Sequence, residues 1–277
     1  MVPPMNKVLA SIGLRAQLTK QKAAGSLPDV SWRNLIDFWR LPCDSWPSES
    51  IVVPQSSPRA EDDITVFDTP IGSIAWKENC RQNLGVLVLD QLRKVYDQGA
   101  AGLRPNDVVV DLGAHVGVFT RYALYRGAAH VIAFEPEPYH FECLKRGFAS
   151  EIDSGRVSLI NAAAWDTRAM LHFHSDGLLS HVDDAAGGIA IQATTVDEAL
   201  SDLGVRHIDF IKADIEGAER VALRGCRTVI RRDAPRMALC TYHLPDDPVV
   251  IPAAVQAILP YAVRFNAGSA QAYFHAK

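Results

Sequence analysis

No two cysteines in this chain form a C-x-x-C pair, and the five present (Cys43, Cys80, Cys143, Cys226, Cys240) are widely scattered. That spacing argues against a zinc ribbon, a redox dithiol and a disulfide framework. Free thiols in a reducing compartment are expected, so the protein reads as cytoplasmic. Long apolar runs are also missing, since none approaches the roughly 18 residues a membrane span needs. The stretch Val8–Leu14 behind Lys7 faintly resembles a secretion leader, but Arg15 interrupts it and no small-x-small cleavage site follows. No charge excess favours a polyanion: 28 Lys and Arg face 32 Asp and Glu, for a net charge of −4. The pair Arg231-Arg232 reads as a solvated helix end. Neither nucleic acid nor membrane is an expected partner.

What is present is an ordinary globular composition, 48% hydrophobic and 22% charged, over 277 residues. Residues 1–60 stand apart as an N-terminal extension. They carry Trp32, Trp39 and Trp46 and many prolines, with helical spacing over 32–39 and a Ser/Pro linker over 47–58. Such an arm could join two copies of the chain or cover an acceptor pocket. Residues 64–68 and 71–76 flank Thr69-Pro70 and predict a hairpin, and 84–98 keep a helical period.

From residue 104, short apolar runs alternate with helical segments. Strands are expected at 108–110, 131–134, 157–160, 208–211 and 237–241. Helices are expected at 118–125, 138–148, 196–203 and 217–231. The tail, 262–265 and 272–274, predicts an antiparallel hairpin. This alternation implies a doubly wound α/β domain over 61–277, with a mostly parallel seven-stranded sheet. Thr195 with Glu198 has the spacing of a capping box.

The informative stretch runs Val108-Val109-Val110-Asp111-Leu112-Gly113-Ala114-His115-Val116-Gly117-Val118-Phe119. A buried strand ends in an acid, a glycine turn follows, and a helix begins. In open α/β sheets ligands sit above that turn. A dinucleotide fingerprint wants glycines at 113, 115 and 118, but the chain has Gly113, His115 and Val118. Asp111 would repel phosphate and would suit a cationic amino group, directly or through water. Gly113 reads as permitting close approach to a ligand, and Gly117 as permitting tight helix packing. Glu135, before Pro136 at the end of the next strand, is placed to accept hydrogen bonds from ribose hydroxyls. Ala163, Ala164 and Trp165 follow the third strand, where small residues leave room for a flat adenine. The combination predicts an adenosyl ligand carrying a positive charge and no phosphate.

These pieces resemble the FkbM family of methyltransferases. The matching stretches are 111–117, Ala133-Phe134-Glu135-Pro136, Lys212-Ala213-Asp214-Ile215-Glu216-Gly217-Ala218-Glu219, Leu223-Arg224-Gly225, and Cys240-Thr241-Tyr242-His243 with Pro245-Asp246-Asp247. The resemblance covers roughly 64–275. It implies a Rossmann-like class I fold, S-adenosylmethionine as donor, S-adenosylhomocysteine as product, and a small hydroxylated acceptor such as a secondary metabolite or sugar. A hydroxyl nucleophile must lose its proton, which calls for a base. His243 is the expected base, Asp214 its tautomer partner or a contact to the donor amine, and Glu216 and Tyr242 the lining of the acceptor pocket. Mg²⁺ on Asp214, Glu216 and His243 is the less favoured alternative. Methylation of nitrogen or carboxylate would use the same donor site. An NAD-dependent oxidoreductase and a non-catalytic donor-binding protein are weaker rivals. The polar loop 175–188 is a candidate lid.

Overall fold

A computed structural model of the protein describes residues 63–174, 181–183, 188–266 and 271–276, with Ala16, Thr19, Lys20, Ala23 and Trp32. Most of the expected helix at 32–39, the linker, and most of the lid lie outside the described residues. So does the boundary drawn at residue 60. By its packing the chain divides into two compact units, Met1–Lys94 and Val95–Lys277.

In the first unit, β1 (Thr65–Thr69) and β2 (Gly72–Trp76) form the expected hairpin, pairing Thr65 with Trp76. Gly72 takes φ 117°, and Thr69 Oγ1 closes the turn on its carbonyl at 2.6 Å. Helix α1 (Arg81–Leu92) buries Leu84, Val88 and Leu92, the side chains that recur every four residues.

The second unit alternates as the apolar runs dictate. It begins β3 (Val108–Leu112), α2 (Val118–Tyr125), β4 (His130–Phe134), α3 (Pro138–Gly147), α4 (Ala149–Asp153) and β5 (Val157–Ile160). An insertion follows: β6 (Ala163–Ala164), β7 (Ala169–His174), β8 (His181–Asp183) and β9 (Ile189–Thr194). Then come α5 (Val196–Asp202), β10 (Phe210–Ala213), α6 (Glu219–Arg224), α7 (Arg227–Asp233) and β11 (Arg236–Cys240). The unit closes with α8 (Asp247–Ile258), β12 (Tyr261–Asn266) and β13 (Gln271–Ala276).

Seven strands make one sheet in the order β12-β13-β11-β10-β3-β4-β5. Strands β5, β4, β3, β10 and β11 are parallel, and β13 lies antiparallel between β11 and β12. This is the Rossmann-like, mostly parallel arrangement expected from the sequence, with the antiparallel hairpin at one edge. Ile132, Ile211 and Met237 pack on one face with Leu200, Leu223, Ile230 and Ile251 of α5 to α8. On the other face Phe210 stacks on Phe119 of α2, with ring centres 6.1 Å apart. Chain order reverses between β3 and β10, so a crevice opens where their carboxyl ends diverge.

Three expectations change. Ala163 and Ala164 leave the main sheet and form β6 of a four-stranded sheet ordered β6-β9-β7-β8. The helix expected at 217–231 is two helices. Gly225 sits against the Trp165 carbonyl, which a Cβ would meet at 2.0 Å, and the chain breaks there to make that contact. Helix α8 was hidden by Pro248 and Pro252; the first falls in the opening turn, where its missing N–H costs nothing. The capping box is half realised: Thr195 Oγ1 accepts from the Glu198 amide at 3.0 Å and donates to its carboxylate at 3.1 Å.

The amino ends of the strands form a closed polar rim. Asp107 pairs with Arg236 at 2.6 Å, and Arg236 also donates to the Gly102 carbonyl. Asp97 accepts from the Leu103 amide and the Tyr122 hydroxyl, each at 2.9 Å, and from Arg126. His207 bridges Asp209 and Asp233, which in turn hold the amides of Val108 and Ile208.

Candidate active site

The site residues sit on the opposite rim, on loops that leave β3, β4, β10 and β11. The first of these is the turn after β3. Gly113 takes φ 75°, and a Cβ there would meet the Asp214 carbonyl at 2.1 Å. The neighbouring strand end requires a glycine here, a reason separate from any approach of ligand. Gly117 takes φ 86° and abuts Phe148 and Leu144 of the α3–α4 junction, not β3. Gly113 and Ala114 both donate to the Phe134 carbonyl, at 3.1 and 2.9 Å, and His115 donates to Glu135 Oε2 at 2.7 Å. These three amides are already committed within the protein, so the turn makes a poor phosphate cradle. Val118 and Phe119 open α2 as core residues; Phe119 meets Tyr96 edge-on at 5.6 Å.

Asp111 is fully buried. Thr120 donates to Oδ2 at 2.7 Å, and the Lys212 ammonium lies 3.0 Å from Oδ1. The same ammonium donates to the carbonyls of Leu112 and Gly113, at 3.1 and 2.7 Å. Asp111 was expected to face a ligand; the structure instead encloses it as the counter-ion of Lys212. Together they tie β3 to β10 under the turn.

Glu135 is buried at the end of β4 and accepts from the amides of His115 and Glu137, at 2.7 and 2.9 Å. Burial pushes its carboxyl up to about 7, against the pull of those amides. Each oxygen keeps a second lone pair, which is what a pair of ribose hydroxyls requires. Asn161 donates to the Glu135 carbonyl at 2.9 Å and braces the segment with Pro136. The His115 and His140 rings stand 4.0 Å apart beside it. Burial and His140 push His115 down to about 3, so it is neutral. Ala163 and Ala164 belong to the second sheet, and Trp165, whose amide donates to the Thr194 carbonyl at 2.9 Å, packs with its small core. Asn161 is the group from this segment that the structure ties to Glu135.

Beyond β10 and β11 lies the densest cluster. Asp214 accepts from the Tyr96 hydroxyl on Oδ2 at 2.8 Å and from the Tyr242 hydroxyl on Oδ1 at 3.0 Å. Burial alone would raise its carboxyl, but Lys212 and the Tyr96 hydroxyl outweigh it and hold the group below the ordinary value. His243 is half-buried, with Nδ1 3.0 Å from Glu219 Oε1. Its Nε2 faces Asp214 Oδ1 at 3.4 Å and Glu216 Oε2 at 3.5 Å. Burial works to lower His243; Glu219, then Asp214 and Glu216, prevail and raise it.

Glu219 is thus the carboxylate nearest Nδ1, and Asp214 lies on the Nε2 side. The two oxygens of Glu219 also accept the amides of Ile215 and Gly217, at 2.9 and 3.1 Å. That wraps the loop around it, with Glu216 at φ 55° and Gly217 at φ 96°. After β11, Asp247 is buried and fixes the chain by accepting from the Leu244 amide at 2.7 Å and from Arg220. Asp214, Glu219 and His243 are close enough together to share a cation. The two amides on Glu219 compete with that use.

A sequence model of the Methyltransferase FkbM domain matches residues 111–260, more than half the chain and all of this cluster except Tyr96. The chain belongs to the FkbM methyltransferase family. It is 26% identical over 166 residues to the 31-O-demethyl-FK506 methyltransferase FkbM of Streptomyces tacrolimicus, which covers 48% of this chain and 64% of that relative. The chain thus spans less than two thirds of the relative's length. Among solved structures, an FkbM methyltransferase from Methylobacillus flagellatus KT is 18% identical, covering 72% of this chain and 56% of that one, with TM-score 0.48. Fibrillarin from Aeropyrum pernix, solved with natively bound S-adenosyl-L-methionine, is 15% identical, covering 82% of this chain and 99% of that one, with TM-score 0.42. Among the described residues no helix is long and apolar enough to cross a membrane.

Proposed function

We propose that the protein transfers a methyl group from S-adenosylmethionine to a hydroxyl of a small molecule, a secondary metabolite or a sugar. The observation that carries this reading is His243. Glu219 engages Nδ1, which leaves Nε2 to accept a proton at the carboxyl rim of the sheet. The donor set suits the proposed cofactor: carboxylates at Glu135 and Asp214, and a turn whose amides are already committed. When bound, S-adenosylmethionine supplies an electrophilic methyl group on a sulfonium. Glu135 would hold the ribose hydroxyls and Asp214 the cationic amino group. His243 would take the hydroxyl proton, and Glu216 and Tyr242 would line the acceptor side. The family relative's name, a methyltransferase of a 31-O-demethyl compound, supports an oxygen acceptor. Nitrogen or carboxylate acceptors would use the same donor residues and need His243 less.

His243→Ala should lower turnover by about 10³-fold while donor affinity in calorimetry stays near wild type. Unchanged turnover would remove His243 from the mechanism. Calorimetry with S-adenosylmethionine and with NADH separates this reading from an oxidoreductase; binding of NADH alone would overturn it. Release of S-adenosylhomocysteine with any acceptor would exclude a purely donor-binding role.

A further inference from the structure

Asp214 is held by two phenols that differ in every other respect. Tyr96 is buried, and its hydroxyl reaches Oδ2 at 2.8 Å. Tyr242 is 49% exposed, and its hydroxyl reaches Oδ1 at 3.0 Å. One carboxylate oxygen is therefore sealed inside while the other looks toward the mouth of the site. Phe119 packs edge-on against the Tyr96 ring at 5.6 Å, and the Lys212 ammonium lies 5.7 Å from its centre. The Tyr96 oxygen also lies 3.7 Å from Cys240 Sγ. Those neighbours leave the phenol little freedom to swing.

The direct ion pair of Lys212 is with Asp111, and the hydrogen bonds to Asp214 come from neutral groups, the two hydroxyls and the Cys240 thiol, with His243 Nε2 3.4 Å from Oδ1. A half-buried carboxylate held by neutral donors keeps its charge for a cation that arrives later. His243 approaches Oδ1, and Glu216 stands on the far side of that imidazole. Tyr96 itself precedes residues 111–260, the stretch that matches the family, and lies 118 positions from Asp214.

We infer that Tyr96 is a positioning residue that fixes Asp214 so that its outward oxygen receives the cationic amino group of the donor. The inference rests on the donor assignment above. Tyr96 touches neither donor nor acceptor; it acts through Asp214. Tyr242, on the same carboxylate, is the phenol that yields its place when the amino group enters.

The test is calorimetry of the whole chain with S-adenosylhomocysteine, which keeps the amino group and needs no acceptor. Tyr96→Phe should weaken binding roughly tenfold at neutral pH, the loss expected for one hydrogen bond to a charged group. The variant-to-wild-type ratio of dissociation constants should grow as pH falls, because Tyr96 helps keep Asp214 ionised. Glu135 and His243, whose Nε2 lies 3.4 Å from Asp214 Oδ1, titrate in both proteins and cancel from that ratio. Tyr242→Phe should cost less than Tyr96→Phe. A ratio that is flat with pH would indicate a packing defect and overturn the proposal, as would unchanged binding. Should Tyr96→Phe fail to fold, Asp214→Asn decides: donor affinity close to wild type would overturn the proposal. Wild-type protein that binds neither S-adenosylmethionine nor S-adenosylhomocysteine overturns the donor assignment itself, a result distinct from the others.

Discussion

The two rims of the main sheet treat charge in opposite ways. At the amino ends of the strands each acid has a basic partner: Asp107 with Arg236, Asp97 with Arg126, Asp209 with His207, and Asp233 with Arg232 and the same His207. At the carboxyl ends Asp111, Glu135, Asp214, Glu216 and Glu219 gather around Lys212 and His243. One rim is balanced and serves the fold. The other carries surplus negative charge, a condition that a cationic ligand relieves. Burial and like charge are tolerated there, as shown by the carboxyl of Glu135 rising to about 7 and by the raised carboxyl of Glu216.

The sharpest way to break this contrast is Arg236→Leu. It leaves Asp107 buried without its guanidinium and should cost about 3 kcal/mol, as a lower denaturant midpoint. Donor affinity of the folded fraction should be unchanged; a large fall would mean the balanced rim also serves the ligand. Glu219→Gln probes the other rim. It keeps volume but removes the charge at His243 Nδ1, and turnover should fall roughly tenfold to a hundredfold with donor affinity retained.

A smaller effect is the acid limb of the rate profile. As the proposed base His243 would act when neutral, and its value is raised, so activity should grow with pH through a midpoint above the ordinary 6.5. A midpoint below 6.5 would contradict the surplus-charge picture. Next is the proton balance of donor binding. Glu135, part-protonated near neutrality when empty, should release a proton as ribose hydroxyls engage it, seen as a buffer-dependent heat. No change at all is expected from exhaustive EDTA treatment; loss of activity restored by Mg²⁺ would reassign Asp214, Glu219 and His243 as cation ligands.

Much of the fold was legible because parallel strands buried on both faces are written as plain apolar runs, as at 108–112 and 131–134. Strand ends were legible too, which is how Asp111, Glu135, Asp214 and His243 were found. What those side chains touch was not. Asp111 looked free because its partner Lys212 lies 101 residues away, across a strand crossover. Glu219 stood within a helical period, and only the left-handed turn at Glu216 and Gly217 folds the loop back over its carboxylate. Tyr96 gave no signal at all: a tyrosine closing an amphipathic stretch reads as core. Ala163 and Ala164 were misplaced because a two-residue strand can join either sheet, and hydrogen bonding to β9 decides it.

The position of β13 has a consequence for assembly. It lies between β11 and β12, so β12, though synthesised earlier, cannot dock until its successor arrives. Until then β11 presents a bare row of amides and carbonyls immediately before His243. Completion of the edge that carries the candidate base is thereby tied to a late, long-range pairing, and a nascent or clipped chain lacking 271–276 would expose the strand that leads into His243.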